Sequence, residues 1–444
     1  MYRSQIESMN AIRRFVVLAC ACVATQLFAT GFAASPMSVP VVARIEMKLA
    51  NGDKIIDVIE QGDLLTVLEE REDDYVIITH DGTKGAVDKV NAVQIAESGD
   101  IYTDLIQRNP LEGRYYTLRA GSWWALGNIE KALEDFDRAI ELGYEEAHAF
   151  TSRGLFHAAM GSHDKALEDY DKAIELDPTD VAPLINRAAV FMSKNDPASA
   201  AADYTTALEL EPQRSSLQRQ RAIAWKAAGQ PEMAIKDYDA ILEKQPEDVA
   251  AIMGRGYIHF QRGRHTEAVE DFARAIELNP KDPVAFNNRG YNRFKLGKLV
   301  GALQDYDRAI ELAPKYPLAL QNRAWLLATA DDEALRDPAE AIKSAKAACE
   351  LSDYESVADL SALAAALAAD GQFEDAVGWQ EKVVQRVAQQ YKDFAEKTLA
   401  RYQDEKPFAK DPDQANQRER EEAEAKGKAA AAAESNQTVA KKTL

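Results

Sequence analysis

The chain has 444 residues, a formal net charge of -20, 46% hydrophobic and 28% charged residues, and an isoelectric point near 4.9. An acid excess of this size repels nucleic-acid backbones and anionic membrane surfaces and leaves a basic or neutral partner as the better fit. It also keeps an elongated surface dissolved.

Taken in chain order, Arg3, Arg13 and Arg14 precede the apolar run FVVLACACVATQLFATGFA, and Gly31-Phe32-Ala33 supplies small residues for cleavage. Residues 1–33 read as a signal peptide, with mature protein starting near Ala34; the alternative is an uncleaved membrane anchor over residues 15–33. Either reading places the remainder outside the cytoplasm, periplasmic or secreted. Cys20 and Cys22 lie in that run, where too little apolar sequence precedes them for a lipoprotein site. Cys349 is then alone, so no intrachain disulfide is expected.

From about Pro40 to Ile95 the pattern turns to short β-branched runs, VPVVARI, DLLTVLEER, DYVIITH and GAVDKVNAVQI, with turns at Asn51-Gly52, Gly62-Asp63 and Asp81-Gly82. Period-two alternation over such lengths predicts strands, five of them curled into a small barrel over residues 38–98. The order GDLLTVL, YVII, DGTKGAV resembles the bacterial SH3-like domain of exported proteins. Members that bind cell-wall or peptide ligands line their groove with aromatic rings. Here Ala86 stands where the usual tryptophan would follow Gly85, and the segment offers one ring, Tyr75, with His80 nearby.

A helix is expected from Gly99 to Arg108, ending at Asn109-Pro110, as a half unit over residues 99–112 that caps the helices beyond it. Alanine then recurs at Ala132, Ala166, Ala200, Ala234, Ala268 and Ala302, every 34 residues, inside segments such as KALEDYDKAIELDP. Each period holds two amphipathic helices, and six equal units run 113–146, 147–180, 181–214, 215–248, 249–282 and 283–316. Small residues mark the close approach of the helices (Gly154, Ala188, Gly256, Gly290). Glycine turns commonly separate them (Gly127, Gly161, Gly229, Gly263, Gly297), and aromatic rings fill the gap between units (Phe136, Tyr170, Tyr204, Tyr238, Phe272, Tyr306).

This set of small and large residues resembles the tetratricopeptide repeat, and the resemblance covers roughly residues 99–390. It implies a mainly α chain, a right-handed α-solenoid whose first helices line a concave groove for protein or peptide ligands. A seventh unit, 317–356, carries about five extra residues between its helices and is expected to protrude there; an eighth, 357–390, restores the spacing. A helix within 391–410 caps the end, and the charged, alanine-rich 411–444 reads as a disordered, solvated tail or frayed helix.

Motifs for catalysis are missing: no HExxH, no CxxC, no phosphate-binding glycine loop, no nucleophile elbow. His157 and His259 repeat at one unit position and His163 and His265 at another, a recurrence that favours packing over metal binding. No enzyme, metal or cofactor is expected. Arg119, Arg153, Arg187, Arg221, Arg255, Arg289 and Arg323 share one position of the first helix, and Asp135, Asp169, Asp203, Asp237, Asp271 and Asp305 share one of the second. The eighth unit loses both, with Leu363 and Trp379. The seventh keeps Arg323 but has Ser344, so each arginine is expected to reach back to the aspartate of the preceding unit as a structural ion pair.

One step away, the position Gly121, Leu155, Ala189, Ile223, Tyr257, Tyr291, Trp325, Ala365 sets three rings in series. Phe260 and Phe294 lie a turn further on, with Asn287 and Lys295 beside them. Rings with a few polar groups suit peptide recognition, since they bury large area at low entropy cost. Their other reading is packing between first helices. The lysine–asparagine pair that some relatives use to clamp a C-terminal carboxylate is absent. The composite expectation is an exported interaction scaffold binding a protein or peptide. The alternative is a cell-envelope adaptor whose barrel touches cell-wall polymer.

Overall fold

The computed structural model describes residues 40–51, 54–79, 82–417, 419 and 421. The signal or anchor segment, Cys20 and Cys22, Gly52, His80, Asp81 and most of the alanine-rich tail lie outside the described residues. The chain divides into two compact parts, up to Gln230 and from Pro231 onward.

The first part opens with seven short strands: β1 (Val41–Ala43), β2 (Met47–Asn51), β3 (Lys54–Ile59), β4 (Leu64–Glu70), β5 (Asp74–Ile78), β6 (Lys84–Asp88) and β7 (Ala92–Gln94). All pairings are antiparallel, in the order β6-β5-β4-β1-β7 with β2-β3 as a separate ribbon. A register shift between Val67 and Glu69 curls the sheet around Leu49, Ile59, Leu65, Ile77 and Val87. Among the described residues there are thus seven strands rather than five: the β2–β3 ribbon lies between the runs VPVVARI and DLLTVLEER, and β1 and β7 pair the two ends of the segment.

This sheet does not stand apart from the helices. Helix α1 (Gly99–Arg108) inserts Tyr102 and Leu105 against Val42 and Val93, and the Tyr102 hydroxyl donates to the Gly62 carbonyl at 3.0 Å. Gly62 sits at φ +89°, and a Cβ there would lie 2.7 Å from a Leu105 methyl. The expected capping half-unit is therefore also the wedge that joins sheet and array.

The helices follow one another in pairs. In the first part these are α2 (Gly113–Ala125) and α3 (Ile129–Glu141), α4 (Ala147–Ala159) and α5 (His163–Leu176), α6 (Val181–Ser193) and α7 (Pro197–Leu210), and α8 (Ser215–Ala227). The second part holds α9 (Pro231–Lys244), α10 (Val249–Gln261) and α11 (His265–Leu278), then α12 (Pro283–Lys295) and α13 (Leu299–Leu312). It continues with α14 (Pro317–Thr329) and α15 (Pro338–Leu351), α16 (Val357–Ala369) and α17 (Phe373–Arg386), and the closing α18 (Lys392–Gln403).

Turns between paired helices use the left-handed backbone that glycine adopts without strain, at Gly127, Gly161, Gly229, Gly263, Gly297 and Gly371; Asn195, φ 59°, takes that role in the third unit. Each recurring alanine is fully buried. The rings fill the space left by the small residue of the facing helix: a Cβ on Gly154 would fall 2.8 Å from the Tyr170 ring, and one on Gly290 2.8 Å from Tyr306.

In the seventh unit the extra residues form a short 3-10 turn, Glu333–Leu335, held by Asp337 N–H on the Leu327 carbonyl and Arg336 on the Ala330 carbonyl. Beyond α18 the chain turns back on itself. Pro412 is buried and residues 412–417 are helical, and Arg401, itself 4% exposed, donates to Asn416 and pairs with Glu419. A buried guanidinium needs such acceptors, and the tail supplies them.

Cys349 lies at 0% exposure on α15, packed against Ala324, Leu360 and Ala345. Burial pushes its thiol up to about 12, so at pH 8 only about one thiol in ten thousand is thiolate, the form that alkylates. The folded chain should resist iodoacetamide for hours, and urea-unfolded chain should react at the ordinary rate. Rapid alkylation of Cys349 under native conditions, read by mass spectrometry, would contradict this packing.

Candidate peptide-binding surface

The charge ladder is present, but its connections differ from the expectation. Five of the arginines meet the aspartate of their own unit through a two-pronged contact: Arg119 with Asp135, Arg153 with Asp169, Arg187 with Asp203, Arg255 with Asp271 and Arg289 with Asp305, at 2.6–3.2 Å. The expected pairs Arg153–Asp135, Arg187–Asp169, Arg289–Asp271 and Arg323–Asp305 are thus replaced. The third nitrogen does reach back, to a second aspartate two residues further along: Arg153 to Asp137 at 2.8 Å, Arg187 to Asp171 at 2.5 Å and Arg255 to Asp239 at 2.6 Å. Arg221 makes the equivalent contact with Thr205, 3.2 Å.

Arg323 confirms the rule by exception. Its own unit offers Ser344 and Glu340, at 2.7 and 3.2 Å, and it reaches back to Asp307 at 2.6 Å. The signal for the back-reaching bond stands in the sequence as D-F-D or D-Y-D at 135–137, 169–171, 237–239 and 305–307. The inner aspartates are almost fully buried and the outer ones exposed. The hydrogen bonds that Arg187 donates to Asp203, then Asp171, hold it well above the ordinary guanidinium value, and those donated to Asp271 and Asp239 do the same for Arg255. These arginines are spent on rivets within and between units.

The rings run along the first helices. Tyr257 meets Phe260 edge-on at 5.6 Å, Phe260 meets Tyr291 at 5.3 Å and 86°, and the Lys295 ammonium sits 5.3 Å over Tyr291. Tyr257 keeps 39% of its surface, so the strip is partly open to solvent. Three of the expected residues are placed otherwise. Asn287 is 3% exposed and accepts from Asn322 at 2.9 Å, so it ties α12 to α14. Phe294 packs into the core around Leu326 and Ala302. Trp325 is covered by Phe408, 4.8 Å away at 70°.

Phe408 belongs to no repeat and so carries no periodic signal in the sequence. With Trp325, Phe394 and Tyr402 it borders a cavity of about 190 Å³. A larger, shallow depression of about 570 Å³ near Gln245–Asp248 and Arg274 holds no ring, and Arg274 is paired there with Glu247 and Glu277. Charge already neutralised in this way leaves little to recognise a ligand.

The sequence pattern of the tetratricopeptide repeat family matches residues 96–143, 118–181 and 219–283. The helix pairs within those residues carry the tetratricopeptide repeat pattern. Similar solved structures include YrrB, described as a tetratricopeptide repeat protein with an unusual peptide-binding site, at 26% identity and TM-score 0.37 over 42% of this chain and 97% of that one. A tetratricopeptide repeat protein from Parabacteroides merdae matches at 20% and 0.42, over 57% and 97%. The C-terminal part of one from Cytophaga hutchinsonii matches at 19% and 0.48, over 56% and 98%. Among the described residues no group of three or more metal-ligating side chains comes together, and no helix is long and apolar enough to cross a membrane.

Proposed function

We propose that this chain is an exported, non-enzymatic scaffold that holds a protein or peptide partner on the face of its first helices. The observation that carries the reading is the strip Tyr257–Phe260–Tyr291: three rings in edge contact, partly exposed, capped by the Lys295 cation. Rings of this kind are stiff and amphipathic, and they bury area at small entropic cost when a partner lands on them. Export rests on the arginines and apolar run of residues 1–33. The second reading, cell-wall contact by an SH3-like sheet, has less support: Tyr75 packs on the sheet core with Lys89 5.2 Å from its ring.

The test is crosslinking and mass spectrometry from the native envelope with wild type and a Tyr257→Ala, Tyr291→Ala double variant. The strip's rings are half-open, so the variant should fold, while its partner recovery should fall at least tenfold. Unchanged recovery from a folded variant would reject the strip as the contact surface.

A further inference from the structure

The corner between Trp325 and α18 already holds a peptide segment, the chain's own. Residues 407–410 cross it outside any helix or strand. The Pro407 carbonyl accepts from Arg401 at 3.1 Å, Phe408 stands edge-on between Trp325 (4.8 Å) and Phe394 (6.1 Å), and Lys410 pairs with Asp331 at 2.6 Å. Asp331 lies in the insertion that distinguishes the seventh repeat. The cavity of about 190 Å³ remains beside Phe408, so its ring does not use all the space that Trp325, Phe394 and Tyr402 enclose.

We propose that this corner is a subsite for an extended peptide bearing an aromatic side chain and, two residues later, a cation, and that Phe408 and Lys410 fill it as a resident competitor. This rests on the reading of the first-helix face as a partner surface and names the partner's chemistry. The aromatic requirement comes from the paired rings, and the cation from the Asp331 carboxylate at the rim. The acceptor carbonyl before the ring is read by buried Arg401. A tethered occupant acts at an effective concentration in the millimolar range for a short link, so an outside peptide competes only when the tail is weakened or the peptide binds better.

The probe is a fluorescein-labelled synthetic peptide of residues 404–413, titrated by anisotropy into full-length chains. Wild type should bind it at least tenfold more weakly than the Phe408→Ala, Lys410→Ala chain, whose corner is vacated. The same peptide with alanine at its phenylalanine should lose at least tenfold on that chain. Since Phe408 also covers core, Lys410→Ala alone serves as a second variant: its pair is exposed, so it keeps the fold and should gain a few-fold in peptide affinity. Equal affinity for wild type and both variants, or no binding to a vacated chain that circular dichroism shows to be folded, would overturn the proposal. Neither outcome depends on the Tyr257–Tyr291 strip, so the two readings fail separately.

Discussion

Replacing Tyr306 by alanine is expected to cost about 3–5 kcal/mol, the range for a large aromatic removed from a closed core. Tyr306 is 1% exposed and its ring lies against Gly290, so neither helix can close the gap without losing its seat on the next repeat. Gly290→Ala tests the same contact from the other side. Its Cβ would stand 2.8 Å from the Tyr306 ring and 3.0 Å from the Asp305 Cβ, both inside van der Waals contact. Other repeats carry alanine at this position, so relaxation is available, and about 1–3 kcal/mol is expected. Repeats touch only their neighbours, so urea unfolding should broaden or split, and hydrogen exchange should show α12 and α13 opening first. A uniform, unsplit transition within 0.5 kcal/mol of wild type for Tyr306→Ala would refute this account.

Asp305→Ala should cost nearly as much. This carboxylate, 2% exposed, receives Arg289 through two bonds at 2.6 and 3.0 Å and Arg293 through a third at 2.8 Å. Its removal strands two guanidinium groups that are only 16% and 26% exposed. Breaking a buried pair costs about 3–5 kcal/mol and an exposed one about 0–1; with arginines partly reached by water, roughly 2–4 kcal/mol is expected here. The control is Asp307→Ala. Asp307 is 45% exposed, and Arg323 keeps Ser344 and Glu340 without it, so its loss should stay below about 1 kcal/mol. Equal midpoints for the two variants in urea would show that the inner and outer aspartates are not distinguished as their geometry requires.

Periodic features were legible because periodicity is itself the folding constraint. A glycine every 34 residues can be read as a left-handed turn, and the recurring alanines as the points where helices touch. Which aspartate an arginine meets was not readable, because both carboxylates of D-Y-D lie within reach of one long side chain and only the stagger of the helices separates them. The sheet's extra strands were missed because β2 and β3 lie in MKLANGDKIIDVI, where lysines and aspartates interrupt the apolar residues, so the stretch does not read as a β-branched run. Asn287 looked like a polar group beside a groove. Its burial follows from Asn322 of the next repeat, 35 residues away, whose amide it accepts. The back-folded segment around Phe408 has no period, and its composition alone reads as solvent-exposed chain.

In the six equal repeats the outer aspartate is replaced twice, by Thr205, which still accepts from Arg221, and by Ala273, which has no acceptor to offer. Where four other repeats carry an aspartate, the fifth carries Ala273, and the carboxylate that Arg289 meets is Asp305 of its own repeat. The seam between the fifth and sixth repeats thus lacks the electrostatic stitch of its neighbours, yet the contact between Phe260 and Tyr291 crosses it. What ties that seam is instead the ring contact and the 2.8 Å bond between His265 and the buried Asn292, so a partner resting on the rings would sit directly over the junction of two repeats.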